Sequence, residues 1–274
     1  MRILITGANG RLAKAFAAHL ESEDVFAFSK NQLDCTNREQ VMSTIKKINP
    51  DLILHCAALT DVEECERQPM KAFSVNCLAV QFIAEAAGTR RLVIFSTDYL
   101  FSTYSITPYL ETNAPQPDNI YALSKWMAEE SVRHFPNLYI IRTSWLFGGQ
   151  ADFVDKIIGK ASESTEIKVV CDQVGSPTYI KDLVKWTLTL LNHAPGIYHL
   201  TNSGYCSRFE WAQEILSYTK PQVKLLSVET KNLSTGANRP AHTILSTEKW
   251  KGITGYRPRE WRDALDEYMQ ELLL

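Results

Sequence analysis

The chain has 274 residues, 45% of them hydrophobic and 22% charged, with 29 Lys plus Arg against 31 Asp plus Glu for a formal net charge of −2. That composition excludes a disordered or fibrous protein and, with no block of five like charges, disfavours a nucleic-acid or anionic-membrane surface. The length suits one large domain or two intimately joined ones.

Arg2–Thr6, an Ile/Leu run ending in Gly7-Ala-Asn-Gly10, reads as a buried parallel strand feeding a turn. Leu12, Phe16 and His19-Leu20 then recur at helical spacing, and residues 25–28 form a second strand. Val41, Ile45 and Ile48 mark a helix stopped by Pro50, and residues 51–56 read as strand three. A helix over 73–87, capped by Gly88, leads to strand four at Arg91–Thr97. Residues 102–119, with three prolines, form a loop of functional length; a helix over 121–134 and strand five at 138–142 follow. Beyond Gly148 the regularity weakens into short strands at 168–171 and 196–200 and helices at 182–191 and 209–218.

Five strands alternating with helices predict an α/β fold, a doubly wound parallel sheet of Rossmann type, with a smaller C-terminal α+β substrate-binding region. Residues 1–148 are expected to form the dinucleotide-binding domain, joined by a returning segment near 173–194, and 149–274 mainly the substrate-binding region. Cys35, Cys56, Cys65, Cys77, Cys171 and Cys206 contain no C-x-x-C pair and read as reduced thiols of a cytoplasmic protein. Neither a secretory start nor a membrane-length apolar run appears. The six histidines lack metal spacing, Glu63, Glu64 and Glu66 read as a solvated turn, and no metal is expected.

Gly7-x-x-Gly10-x-x-Ala13, directly after a strand and opening a helix, offers backbone N–H groups and a helix dipole to a pyrophosphate. The end of strand two, Phe28-Ser29-Lys30-Asn31, lacks the acid that would bind a ribose 2′-OH. Ser29 and Lys30 suit the 2′-phosphate of NADPH, with NADH the alternative cofactor and a solvated loop lysine the plain reading of Lys30. Tyr121 and Lys125, four apart, share a helical face, and the strand-four end Ser96-Thr97-Asp98-Tyr99 belongs to the same crevice. A cation beside the phenol is expected to lower its pKa toward working pH, with Thr97 orienting the same oxygen.

Those motifs resemble an extended short-chain dehydrogenase/reductase. With Arg142-Thr-Ser-Trp145-Leu-Phe147, Asp172-Gln-Val-Gly-Ser-Pro-Thr178 and Arg239-Pro240, they resemble more closely the dTDP-4-dehydrorhamnose reductase family, across nearly the whole chain. The resemblance implies NADPH-dependent reduction of the C4 ketone of a 4-keto-6-deoxy sugar nucleotide, dTDP-4-dehydrorhamnose to dTDP-rhamnose. It implies Thr97, Tyr121 and Lys125 as catalytic residues, with Tyr121 the proton donor and Lys125 on the nicotinamide ribose. The implied cofactor contacts are Gly7, Asn9, Gly10, Arg11, Leu12, Ser29, Lys30, Asp34, Cys35, Ala57, Ala58, Tyr121 and Lys125. The implied substrate contacts are Thr97, Asp98, Tyr99, Trp145 and Arg239, the last on the diphosphate. Asn76 matches a position that supports the active site in such enzymes, or is a helix-surface amide. A homodimer is expected by analogy alone. Two departures stand out: Gln150-Ala-Asp152-Phe153 replaces Gly-Asn-Asn-Phe, setting an acid near the diphosphate, and Val62-Glu63 replaces Val-Asp. The rival readings are an epimerase or dehydratase, against which Tyr99 stands where dehydratases carry Glu, and a non-catalytic NADP-binding regulatory subunit of a methionine adenosyltransferase.

Overall fold

A computed structural model describes residues 1–102, 105, 107–219, 223–232 and 236–273. In chain order the elements are β1 Arg2–Thr6, α1 Arg11–His19, β2 Asp24–Phe28, α2 Arg38–Ile48, β3 Leu52–His55, α3 Val62–Arg67 and α4 Pro69–Phe73. A π-turn, Ser74–Leu78, joins α4 to α5 Ala79–Ala87, followed by β4 Arg91–Thr97, α6 Ile120–Val132, β5 Leu138–Thr143, β6 Leu146–Phe147, α7 Phe153–Glu163, β7 Glu166–Val170 and β8 Val174–Gly175. The rest are β9 Thr178–Tyr179, α8 Ile180–Leu190, β10 Gly196–His199, β11 Cys206–Ser207, α9 Arg208–Thr219, β12 Lys224–Val228, α10 Glu248–Thr254 and α11 Trp261–Leu273.

The main sheet has six parallel strands in the order β10-β5-β4-β3-β1-β2. Their centres are apolar on both faces, as a sheet covered on both sides requires; Ile3, Leu4, Ile5, Leu52, Ile53 and Leu54 have no exposed surface. Val41, Ile45, Val80, Ile83, Ala128 and Val132, from α2, α5 and α6, pack on one face. Phe16 of α1, Leu183 of α8 and Trp250 of α10 pack on the other. The fold is thus the doubly wound Rossmann type expected.

One expectation changes: residues 196–199, read above with the smaller region, form the sixth strand of this sheet, beside β5. The chain leaves the sheet after β5, returns through α8 and β10, leaves again at β11, and returns once more to place Trp250 in the sheet's core. Between these passages α7, α9 and the β7–β12 pair, joined by α11 after the last of them, build a second core around Phe147, Trp211 and Trp261. Pro50 alone does not end α2; Asn49 closes it in the left-handed region (φ 48°), a conformation asparagine tolerates. Among the described residues no helix is long and apolar enough to cross a membrane.

Candidate active site

The sheet changes direction at β1, whose neighbours are β2 on one side and β3 on the other, so the crevice opens at the carboxyl ends of β1 and β3. There the Thr6 hydroxyl shares a hydrogen bond with His55 Nδ1 (2.8 Å) and accepts one from the Ala57 N–H (3.3 Å), tying the two strand ends together. Gly7 follows with φ +72°, and a Cβ on it would sit 2.8 Å from the Ala57 backbone. Packing against the β3 loop, as well as room for a phosphate, therefore demands glycine at that position.

Two adjoining cavities run along this edge. One, of about 250 Å³, is lined among others by Gly7, Lys30, Asp34, Cys35, Ala57 and Ala58. The other, of about 410 Å³, is lined among others by Arg11, Leu12, Thr97, Tyr121, Lys125 and Trp145. Asn9, Gly10, Cys56 and Ala58 line both, so the two form one trough of dinucleotide proportions. In its deeper part the Ser96 and Thr143 hydroxyls are buried and, among the described residues, have no hydrogen-bond partner. Orphaned hydroxyls lining a cavity are what a polar ligand would satisfy. At the other end the Ser29 N–H and hydroxyl both donate to Gln32 Oε1 (2.9 and 2.8 Å), so that hydroxyl is engaged inside its own loop while Lys30 faces the trough. Asp34 is likewise occupied, accepting from the Thr36 N–H and hydroxyl, bonds that hold its carboxyl below the usual range. Burial pushes the Cys35 thiol up to about 11 and Cys56 further still, so both remain neutral packing groups.

Tyr121 and Lys125 project from the first turns of α6, whose start is fixed three ways. Asn119 accepts from the Ala122 N–H (2.8 Å), and Glu66 accepts from the Ile120 N–H (2.7 Å). The Ser124 hydroxyl donates to the Tyr121 carbonyl and receives a bond from Asn76 Nδ2 (3.0 Å). Asn76 is fully buried on the π-turn, where it also donates to the Leu59 carbonyl and accepts from the Leu59 N–H. It is a buried cross-link between the β3 loop and the Tyr121 helix rather than a helix-surface amide. A π-turn inserted into a helix re-aims its side chains, and such turns recur at functional sites.

The phenol's environment differs from the expectation. Burial, with Asp98 and Tyr99 nearby, drives the Tyr121 pKa well above its ordinary value, and Lys125 is not among the principal groups that shift it. The side chain is therefore held as a neutral phenol, the state of a proton donor. Lys125 is brought down to about 8 by burial, opposed chiefly by Glu129. Thr97 accepts from the Tyr99 N–H (3.1 Å) and donates to Asp98 Oδ1 (3.3 Å), and the Thr243 hydroxyl donates to Asp98 Oδ2. Tyr99 meets Tyr121 edge to face, with ring centroids 6.2 Å apart.

Two acids also differ from their sequence reading. Asp152 has a fully buried carboxylate that accepts from the Gly148, Gly149 and Asp155 N–H groups, capping α7, and lies 3.8 Å from Arg11. It is a structural cap rather than a repulsive group on the diphosphate path. Glu63 and Glu66 lie on helix α3, not a solvated turn, because Asp61 caps that helix through the Glu64 N–H. Glu63 pairs with Arg239 (2.8 Å) and accepts from the Gly236 N–H, joining α3 to the C-terminal region. Arg239 lies close enough to bias the Tyr99 phenol.

Trp145 lines the trough with φ +42°, a conformation rare for a bulky residue. Gly175 leaves room for it, since a Cβ there would lie 2.7 Å from the indole. Arg208, which the sequence gave no reason to select, stacks on the same indole at 3.6 Å. A larger cavity, about 740 Å³ between α1 and α8, is lined by Lys14, His19, Lys181 and Lys185 and shares only Asn9 and Arg11 with the trough. Its size does not make it the reactive centre, because Tyr121 and Lys125 do not reach it.

A family model described as the RmlD substrate binding domain matches residues 1–274. The chain is similar to the spore coat polysaccharide biosynthesis protein SpsK of Bacillus subtilis (strain 168), with 37% identity over 98% of this chain and 97% of that protein. It is similar to a dTDP-4-dehydrorhamnose reductase of Sinorhizobium fredii, with 32% identity over 100% of this chain and 98% of that protein. Among solved structures, a dTDP-4-dehydrorhamnose reductase from Bacillus anthracis in complex with NADP superposes with a TM-score of 0.95 at 36% identity, covering 98% of this chain and 99% of the other.

Proposed function

The chain belongs to the dTDP-4-dehydrorhamnose reductase (RmlD) family, and from that premise we propose that it reduces the C4 ketone of dTDP-4-dehydrorhamnose to the alcohol of dTDP-rhamnose, with NADPH as reductant. The observation that carries this reading is the meeting of Tyr121, Lys125 and Thr97 in one trough with the Gly7–Gly10 loop.

NADPH, when bound, supplies the hydride. The backbone of Gly7 to Gly10 and the side chain of Arg11 would hold its diphosphate and Lys30 its 2′-phosphate, and the unpartnered Ser96 and Thr143 hydroxyls of the same trough would be open to its polar groups. Tyr121, kept protonated by its surroundings, donates its proton to the C4 oxygen as negative charge develops there. Thr97 fixes the phenol and that oxygen relative to each other and eases the charge left on the phenolate, while Lys125 would hold the nicotinamide ribose. Tyr99 stands at the strand-four end and offers no second carboxylate for water elimination, which favours reduction over a dehydratase.

The test is to supply the purified protein with dTDP-4-dehydrorhamnose and follow NADPH absorbance; a silent protein at saturating substrate overturns the reading. A second expectation concerns the cofactor. Replacing Lys30 by Ala raises KM for NADPH by about 10–100-fold, the loss of one or two charge-assisted bonds, while KM for NADH stays unchanged. Steady-state titration of both cofactors checks this.

A further inference from the structure

Arg208 opens α9, in the half of the molecule that contributes nothing to the cofactor loop. Its guanidinium carbon lies 3.6 Å from the Trp145 ring centroid, 5.0 Å from that of Phe153 and 5.5 Å from that of Trp211. Trp145 and Trp211 are themselves nearly parallel, 5.7 Å apart, and Phe153 stacks on Trp211 at 4.6 Å. The guanidinium is thus held in an aromatic cage, and among the described residues it makes no ion pair within 4.0 Å. A cation kept there unpaired costs desolvation, which cation–π contacts offset only in part. The polar groups whose charge it chiefly feels are the Tyr99 phenol and Asp98. Both belong to the other half of the molecule, at the end of β4.

We propose that Arg208 is a positioning residue for the sugar end of this site: clamped on Trp145, it fixes the indole as one wall and, through Tyr99 and Asp98, orients the facing wall that receives the hydroxyls of the sugar ring. The proposal rests on the reductase reading for the identity of the ligand. It accounts for three otherwise separate features: the left-handed Trp145 backbone, the missing side chain at position 175, and a buried carboxylate at Asp98.

Asp98 supplies a readout that a merely structural arginine would not move. The groups facing it are Thr97, Thr243, Tyr99, Tyr121 and Arg208, of which Arg208 alone is cationic. Burial raises its carboxyl to about 6, and Arg208 opposes that rise. Asp98 is an ionised acceptor above that pH and loses this role below it. Removing the arginine charge lifts the titration further, so an acid limb governed by Asp98 moves toward neutrality.

The test compares wild type, Arg208→Met and Arg208→Lys by calorimetric titration with dTDP-rhamnose between pH 5 and 8, and by KM and kcat where turnover is measurable. For Arg208→Met the dissociation constant and KM are expected to rise about 10-fold, with the acid limb displaced upward and NADPH affinity unchanged. Lys at 208 is expected to restore the acid limb, since it returns the charge, but not the affinity, since it lacks the planar stacking face. Wild-type affinity in Arg208→Met, or an acid limb that stays in place, overturns the proposal. Should Arg208→Met fail to fold by circular dichroism, Arg208→Lys decides: weakened binding with a normal limb supports the assignment, and wild-type binding overturns it. Absent turnover in the wild type overturns the reductase reading instead, and calorimetry separates the two.

Discussion

Replacing Tyr121 by Phe is expected to lower kcat by about 10²–10⁴-fold, the usual contribution of a positioned general acid, with the NADPH dissociation constant little changed. The ring is retained, so its edge-to-face contact with Tyr99 and the start of α6 are undisturbed. Only the hydroxyl, and with it the transferable proton, is removed. Because the buried phenol lies far above neutrality, wild-type kcat is not limited by Tyr121 ionisation anywhere below pH 8. The alkaline limb of its pH profile instead follows Lys125, which loses its charge as pH rises through about 8. Stopped-flow measurement of single-turnover NADPH oxidation, with fluorescence titration of the cofactor, checks both statements. A Phe variant as fast as wild type would remove Tyr121 from the reaction.

Glu129→Ala is expected to cost about 3–5 kcal/mol of folding stability, the range for breaking one partner out of a buried ion pair. Arg142 Nη2 lies 2.7 Å from Glu129 Oε2, Nε adds bonds of 3.1 and 3.2 Å, and both side chains are at most 3% exposed. Alanine leaves a buried guanidinium whose remaining bond is to the Glu111 carbonyl at 3.4 Å. A double variant, Glu129→Leu with Arg142→Met, is expected to recover most of the loss, because two apolar groups leave no charge to solvate. Equilibrium urea unfolding of the three proteins measures it. The same carboxylate is the principal group holding the Lys125 pKa up. Its removal lowers that pKa further, so Lys125 is neutral at a lower pH and the alkaline limb of kcat moves toward acid. A limb that stays in place would mean that Glu129 supports the fold without tuning Lys125.

Features written in local spacing were legible in the sequence. The β1 run, the glycine loop and the pair Tyr121 and Lys125 each depend on residues a few positions apart, and each takes the strand, turn or helix read for it. What was misread had a local signal that went unused: Asp61 with Glu64, and Asp152 with Asp155, are N-cap patterns that announce helices where a turn and a repulsive charge were inferred. Arg208 had no such signal. Its meaning comes from Trp145 and Asp98, which only the docking of α9 brings beside it. The Tyr121 titration failed for a related reason, since spacing gives the lysine's place on the helix but not how much water the phenol loses.

The repeated return of the chain to its main sheet has a consequence for recombination. A piece ending at Gly148 would lack an edge strand, the helix α8 and the Trp250 anchor, and would expose the apolar face they cover. A graft meant to trade sugar preference between relatives must therefore exchange three separate segments, one between β5 and α8, another between β10 and α10, and the last helix α11. Arg208 would travel with the second segment and Trp145 with the first, so a graft of either alone would part the guanidinium from its indole.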